Sequence, residues 1–255
     1  MKKRRPPKPK PKPKPVPVPK PVPVQTLDPL WQRNVVVTVS LSSFSGLQRE
    51  AAMAKGYSIV AVLVDNDPLA LANREELLLI GRRLRAAGWA IVGWAPTYTS
   101  TDAAEHSELV SILDLAGFIP NLEAWAEGPH RGLTSAYLSS FRAWQPRLPM
   151  MVSCLSSDTG NFARDFDYQA CLNANAGISP QVYTTNQPSY TVDAMRANLE
   201  KAGVPLTMVA PWLSIDHPSG LAHTPVPVEQ YEAWKGPHGI WTGDTMKLGE
   251  WPLVA

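Results

Sequence analysis

Six times between residues 56 and 239, a glycine stands just ahead of an apolar run rich in β-branched and aromatic residues. The sites are Lys55-Gly56-Tyr57, Ala87-Gly88-Trp89, Ala116-Gly117-Phe118, Ala176-Gly177-Ile178, Ala202-Gly203-Val204 and His238-Gly239-Ile240. A helix that ends in the left-handed region needs a residue tolerant of positive φ, so this placement reads as helix, glycine cap, strand. The glycine spacings are 32, 29, 60, 26 and 36. The gap of 60 holds two units if Leu148-Pro149-Met150 opens a strand of its own.

The repeat predicts eight strands, over Asn34 to Leu41, Tyr57 to Asp65, Trp89 to Ala95, Phe118 to Glu123, Pro149 to Leu155, Ile178 to Thr184, Leu206 to Leu213 and Gly239 to Asp244. Helical stretches alternate with them, including Leu69 to Ala87 and Val192 to Ala202. The fifth helical unit, Asn161 to Ala176, is polar, and Pro225 to Lys235 leaves room for only a short seventh helix. Strands apolar on both faces are buried on both faces. Eight of them fit an α/β fold of the (β/α)8 TIM-barrel type better than an open sheet.

A different chemistry precedes this body. Of 26 prolines, ten lie within the first 24 residues, together with seven lysines, two arginines and no acid. Alternating proline fixes φ and removes half the amide donors, which closes both helix and sheet to Lys8-Pro9-Lys10-Pro11-Lys12-Pro13-Lys14-Pro15 and leaves polyproline II. At about 3.1 Å per residue, 24 residues reach roughly 75 Å. The expected organisation is a basic, proline-rich extended arm over 1–30 and a single barrel over 31–255. Residues 1–24 carry +9, and the remaining 15 basic against 22 acidic side chains leave the rest of the chain acidic. Lys8, Lys10, Lys12 and Lys14 are the candidate docking residues of the arm, against the plainer reading of a solvated linker.

Several function classes drop out. No apolar string approaches the roughly 20 residues that cross a bilayer, and the basic start runs into proline rather than an apolar segment, so neither a membrane span nor a signal peptide is expected. No aromatic residue interleaves the lysines, which argues against specific nucleic-acid binding. No glycine-rich phosphate loop follows a strand, which removes dinucleotide and P-loop chemistry. Cys154 and Cys171 match no zinc spacing and read as buried thiols; the five histidines are scattered. No metal and no cofactor is expected.

In a barrel of this type the segments after the strands build the site. Here they carry Trp94, Asn121, Tyr183, Trp212, Asp216 and Trp241, with Ser153 also at a strand end. Indole and phenol faces stack on sugar C–H surfaces while amides and carboxylates bond hydroxyls, so carbohydrate is the ligand class this rim suits. The same residues also serve as loop anchors and helix caps. Strand alternation puts Asn121 and Glu123 on one side of the fourth strand; if that side is the interior, an amide lies beside a carboxylate at the mouth. Glycoside hydrolysis needs a second carboxylate. Asp65, Asp244 and Asp216 are candidates, with Asp65 and Asp244 the tentative catalytic partners of Glu123.

Four segments in this order, Asn121-Leu122-Glu123, Gln181-Val182-Tyr183-Thr184-Thr185, Pro211-Trp212 and Gly239-Ile240-Trp241, make the chain similar to the glycosidase-like barrels of minor tail proteins from phages of actinobacteria. It resembles more distantly the lysozymes of glycoside hydrolase family 25. The similarity runs roughly from Asn34 to Asp244. It implies a sugar-related barrel in a virion, with other tail proteins as partners of the arm and cell-envelope glycan at the mouth. The lysozymes carry an aspartate on strand one and Asp-x-Glu on strand four. Here strand one reads Val37-Thr38-Val39-Ser40-Leu41, Asn121 stands where the aspartate belongs, and Glu123 alone remains. A virion binding or structural protein, an active glycoside hydrolase and a ligand-free scaffold are therefore the alternatives.

Overall fold

The computed structural model describes residues 25–38, 46–64, 74–122, 132–155, 166–182, 191–214 and 232–241. Eight strands alternate with helices: β1 (Asn34–Thr38), α1 (Gly46–Ala54), β2 (Tyr57–Leu63), α2 (Arg74–Ala86), β3 (Ala90–Pro96), α3 (Asp102–Leu113), β4 (Phe118–Asn121), α4 (Gly132–Trp144), β5 (Met151–Leu155), α5 (Tyr168–Asn173), β6 (Gly177–Val182), α6 (Val192–Lys201), β7 (Trp212–Ser214) and β8 (Gly239–Trp241). Each strand pairs in parallel with the next. β8 pairs with β1 through Val35, Val36 and Val37 against Gly239, Ile240 and Trp241, which closes the ring. The expected (β/α)8 barrel is the observed fold.

The core has two parts, as alternation along buried strands requires. Outward residues such as Val36, Val60, Phe118, Val152 and Ile178 pack under the helices. Inward residues Val35, Val37, Ile59, Ala61, Val92, Trp94, Ile119, Met151, Ala210 and Trp212 fill the barrel. Leu27 and Trp31 belong to this second cluster, although they precede the first strand. Asp28 starts the turn that carries Trp31 by accepting from Leu30 N at 2.9 Å, and Pro29 supplies a φ suited to the first position. Leu27 N donates to Thr207 O at 2.9 Å, and the Gln25 side chain donates to Leu172 O at 3.1 Å. Thus, of the segment assigned to the arm, residues 25–30 lie against the N-terminal end of the barrel. The lysines at 8, 10, 12 and 14 lie outside the described residues.

Two sequence expectations need correction. The seventh strand does not run from Leu206 to Leu213. Leu206–Met208 is a 3-10 turn, Val209 makes one isolated bridge to Ile178, and the strand is Trp212–Ser214. Pro205 and Pro211 flank this stretch and cannot donate to a ladder. The six glycines also divide by role. Gly56, Gly88 and Gly203 have φ of 90°, 90° and 73° and cap helices as expected. After α3 and α5 the left-handed residues are instead Asp114 (52°) and Asn175 (49°), types whose short polar side chains tolerate that region. Gly117, Gly177 and Gly239 are small because something lies against them. A Cβ at Gly117 would meet Leu30 and Trp31 at 2.9 Å, one at Gly177 would meet Leu27 at 2.6 Å, and one at Gly239 would lie 2.5 Å from Trp212 Cδ1.

The last contact involves a fully buried ring. Gly239→Ala is expected to cost about 3 kcal/mol by overpacking, read as a lower midpoint in urea unfolding. Gly203→Ala, with open space around its Cβ but a left-handed backbone, is expected to cost about 1 kcal/mol. Equal losses would remove the packing explanation for Gly239.

Candidate functional site

The strands are parallel, so their C-terminal ends share one end of the barrel, the mouth. Three polar side chains meet just inside it. Asn121 ends β4 and is in register with Ser153 on β5, while Leu155 of β5 is in register with Gln181 on β6. Gln181 Nε2 donates to Asn121 Oδ1 at 2.8 Å and to Ser153 Oγ at 2.8 Å. Ser153 and Gln181 are 0% and 1% exposed, and Asn121 is half-buried. One layer deeper, Ser179 Oγ donates to Ala210 O at 2.7 Å. Buried amides and hydroxyls demand partners, and Gln181 Nε2 supplies them to Asn121 and Ser153 across three strands.

The ends of β3 and β4 are braced from behind. Thr97 N donates to Asn121 O at 3.1 Å, and Leu122 N donates to Ser153 O at 2.9 Å. The Tyr137 hydroxyl on α4 bonds His106 Nδ1 on α3 at 2.9 Å and reaches Thr97. Burial drives the Tyr137 phenol well above its ordinary pKa, and the Asp102 charge adds to this, against the opposing hydrogen bond from Thr97. Asp102 is subject to burial, which raises its pKa. The Thr99 hydroxyl, the Tyr98 and Thr99 amides and the charge of His106 outweigh burial and hold the carboxyl below its usual value. The loop after β3 is tied down by these bonds, leaving Tyr98 56% exposed at the mouth.

Among the residues expected to form the site, Asn121 faces the interior, where its side chain meets Gln181. Trp94 also lies inside, buried, with its indole Nε1 donating to Thr38 O at 3.0 Å, so it straps β3 to β1 across the top of β2. Trp212 is fully buried against Gly239, deeper than a rim position. The backbone of Trp241 pairs with Val37 and Ser214. Glu123, Asp65, Asp244, Tyr183 and Asp216 lie outside the described residues.

Gln181 was not among the residues expected at the site, and Ser153 was expected there only as a strand-end residue. The available signal was inward parity within an otherwise apolar strand: Ser153 in Met-Val-Ser-Cys-Leu and Gln181 in Ile-Ser-Pro-Gln-Val. Cys154 and Cys171 are buried free thiols as expected, and burial pushes the Cys171 thiol far up.

Two clefts on the outer surface flank Arg142 between α4 and α5, with volumes of about 240 and 290 Å³. The Arg142 donors are committed to the carbonyls of Ala174 (2.9 Å), Leu148 (2.7 Å), Gln145 (3.3 Å) and Asn175 (3.3 Å). Arg142 therefore acts as a clasp on chain ends rather than an anion receptor. Among the described residues, no helix is long and apolar enough to cross a membrane.

No family model and no curated protein matches the sequence. Solved structures do match in shape. An endo-β-N-acetylglucosaminidase from Cordyceps militaris superposes with a TM-score of 0.57 at 10% identity, covering 86% of this chain and 87% of that one. A xylanase-A-amylase inhibitor protein, XAIP-III, gives 0.55 at 12% identity, covering 86% and 94%. A 2,3-dimethylmalate lyase of the PEP mutase/isocitrate lyase superfamily gives 0.50 at 13%, covering 83% and 76%. At these identities the likeness is one of fold: the chain is a closed (β/α)8 barrel of the shape also found in a glycosidase, an inhibitor protein and a lyase.

Proposed function

We propose that this protein is a carbohydrate-binding structural component of a phage virion, of the minor-tail type. In this reading the basic arm docks into the assembly and the barrel mouth contacts cell-envelope glycan. The observation that carries the sugar part is the uncharged layer of Asn121, Ser153 and Gln181, buried and hydrogen-bonded at the mouth of a glycosidase-like barrel. Such a layer suits neutral hydroxyls, which amides and hydroxyls bond without the desolvation cost of a buried ion. The arm part rests on sequence. Nine positive charges on a proline-rich segment of 24 residues are the composition of a semi-rigid basic tether.

The second reading is an active glycoside hydrolase with Glu123 as general acid and Asp65 or Asp244 as its partner. The interior placement of Asn121, two residues earlier in the sequence, favours it. One assay separates the readings. Wild-type protein is incubated with purified bacterial wall glycan, and both co-sedimentation and released reducing ends are measured, with Glu123→Gln as control. Co-sedimentation without release is the expected result. Release that Glu123→Gln abolishes would replace the first reading with the second, and neither binding nor release would leave the barrel as a scaffold. Deleting residues 1–24 tests the arm: loss of incorporation into particles is expected, and retained incorporation refutes docking.

A further inference from the structure

Each helix ends just before the next strand begins, so the helix C-termini gather at the end of the barrel opposite the mouth. That end is basic, although the chain beyond residue 24 is acidic as a whole. Lys55 follows α1, Arg83 stands in the last turn of α2, Lys201 ends α6, and Arg147 and Lys235 precede β5 and β8. Arg83, Arg147, Lys201 and Lys235 are exposed, and among the described residues no ion pair holds any of the five. Of the acids at this end, Asp114 is already paired with Arg85 at 3.5 Å. The mouth end has the opposite character: Asp102 and Glu105 lie in the first turn of α3, Asp167 caps α5, and Asp193 lies in the first turn of α6. Helix dipoles favour such a partition within the terminal turns. They do not call for Arg147, which lies past the end of α4.

The root of the arm is at the same end. Gln25 donates to Leu172 O at 3.1 Å and accepts at its carbonyl from Thr207 Oγ1 at 2.7 Å. Residues 1–24, with their nine positive charges, therefore join the barrel here. Trp144, the last residue of α4 and close to Arg147 in the chain, is exposed. We infer that the end of the barrel opposite the mouth is a docking face for an acidic protein surface, shared by the arm root and these basic side chains, so that a docked barrel turns its mouth away from its partner.

The inference extends the arm-docking reading, but the charge of this face does not depend on the arm. Positive charge steers a basic face toward an acidic one. The exposed tryptophan near an arginine favours a protein over a lipid or nucleic-acid surface, because these two residue types dominate the binding energy where proteins meet.

The test uses the full chain and, as probe, poly-L-glutamate coupled to beads at low salt. Arg83→Gln with Arg147→Gln is expected to weaken binding about fivefold. Ala104→Glu with Ala197→Glu lowers the net charge equally from exposed helix positions away from this face, and is expected to change binding less than about twofold. Equal weakening by the two pairs would overturn the inference. Orientation is read from maleimide labelling of Ala86→Cys, exposed at the end of α2, and Ala104→Cys, exposed near the mouth; the native cysteines are buried. Binding should slow labelling at residue 86 several-fold and leave residue 104 unchanged, and equal slowing at both would overturn the mouth-outward placement.

Neutralising Lys8, Lys10, Lys12 and Lys14 to glutamine separates this inference from the arm reading. If those changes weaken binding while the Arg83 and Arg147 pair does not, the arm docks and the face does not. If only the Arg83 and Arg147 pair weakens it, the face stands and arm docking fails. Vesicles of phosphatidylglycerol and phosphatidylcholine, and duplex DNA, are run beside the beads. Tighter binding to either than to poly-L-glutamate, or no binding to poly-L-glutamate, would overturn the assignment of an acidic protein partner.

Discussion

Replacing Trp31 with alanine is expected to lower the free energy of unfolding by about 4 kcal/mol, the largest single-residue loss foreseen in this chain. Trp31 is fully buried, precedes every strand, and belongs to the cluster that fills the barrel interior. The plug is built from both sides. Gly117 has no side chain because Trp31 and Leu30 occupy that volume, and Gly177 has none because Leu27 does. Truncating the indole leaves a cavity that eight hydrogen-bonded strands cannot collapse into, so transfer and cavity terms add. Trp31→Phe should cost less than half as much, since the indole Nε1 is buried with no partner among the described residues. Deleting residues 1–24 should leave the unfolding midpoint where it is, because the contacts of Gln25 and Leu27 survive. Deleting residues 1–33 should abolish cooperative unfolding. A loss below about 1 kcal/mol for Trp31→Ala would mean that the plug is not part of the core.

Acid is the second strong lever. His238 sits at the seam where β8 meets β1. It accepts at its carbonyl from Val35 N at 3.0 Å, donates its amide to Asn34 Oδ1 at 3.0 Å, and bonds the Tyr57 hydroxyl through Nε2 at 3.1 Å. Its Nδ1 faces the Gly236 carbonyl at 3.3 Å. Burial depresses the imidazole pKa from 6.5 to about 4, with the Gly236 carbonyl opposing that shift. The folded state thus prefers the neutral ring, and the unfolded chain takes up the proton first. Stability should be full above pH 6.5, fall as the pH drops toward 4, and lose nothing further from this group below that. At 1.36 kcal/mol per pKa unit the loss is about 3 kcal/mol. Asp102 acts in a lower window: its depressed carboxyl pKa contributes stability that disappears only as the pH falls below the ordinary value of 3.8. Urea unfolding from pH 7.5 to 4 should show the His238 slope in the wild type and none in His238→Gln. A wild-type profile flat between pH 6.5 and 4 would show that the imidazole is not held neutral at the seam.

The sequence was legible where the physics is local or periodic. Apolar runs spaced about 30 residues apart identified the parallel strands, because a strand buried on both faces has to be apolar throughout. Three of the six glycines were correctly read as caps, since a positive φ is a demand of the backbone alone. The two cysteines were correctly placed in the core. Asn121 was identified as a possible interior residue by alternation along β4, and it faces the interior.

Other features depend on which parts of the chain come together in space, and they became visible only in the closed ring. Gly117, Gly177 and Gly239 carry the same local signature as the capping glycines, yet they are small because Trp31, Leu27 and Trp212 arrive from elsewhere in the chain. Gln181 looked like one polar residue in an apolar strand. Its meaning comes from Asn121, 60 residues away, and Ser153, 28 residues away, which reach it only when β4, β5 and β6 lie side by side. Periodicity thus determined the barrel, and alternation along the fourth strand grouped Asn121 with one side of it, while which side is the interior was decided by the closed ring. Barrel closure decided which inward side chains touch, because strand stagger and packing across the interior are properties of the whole ring.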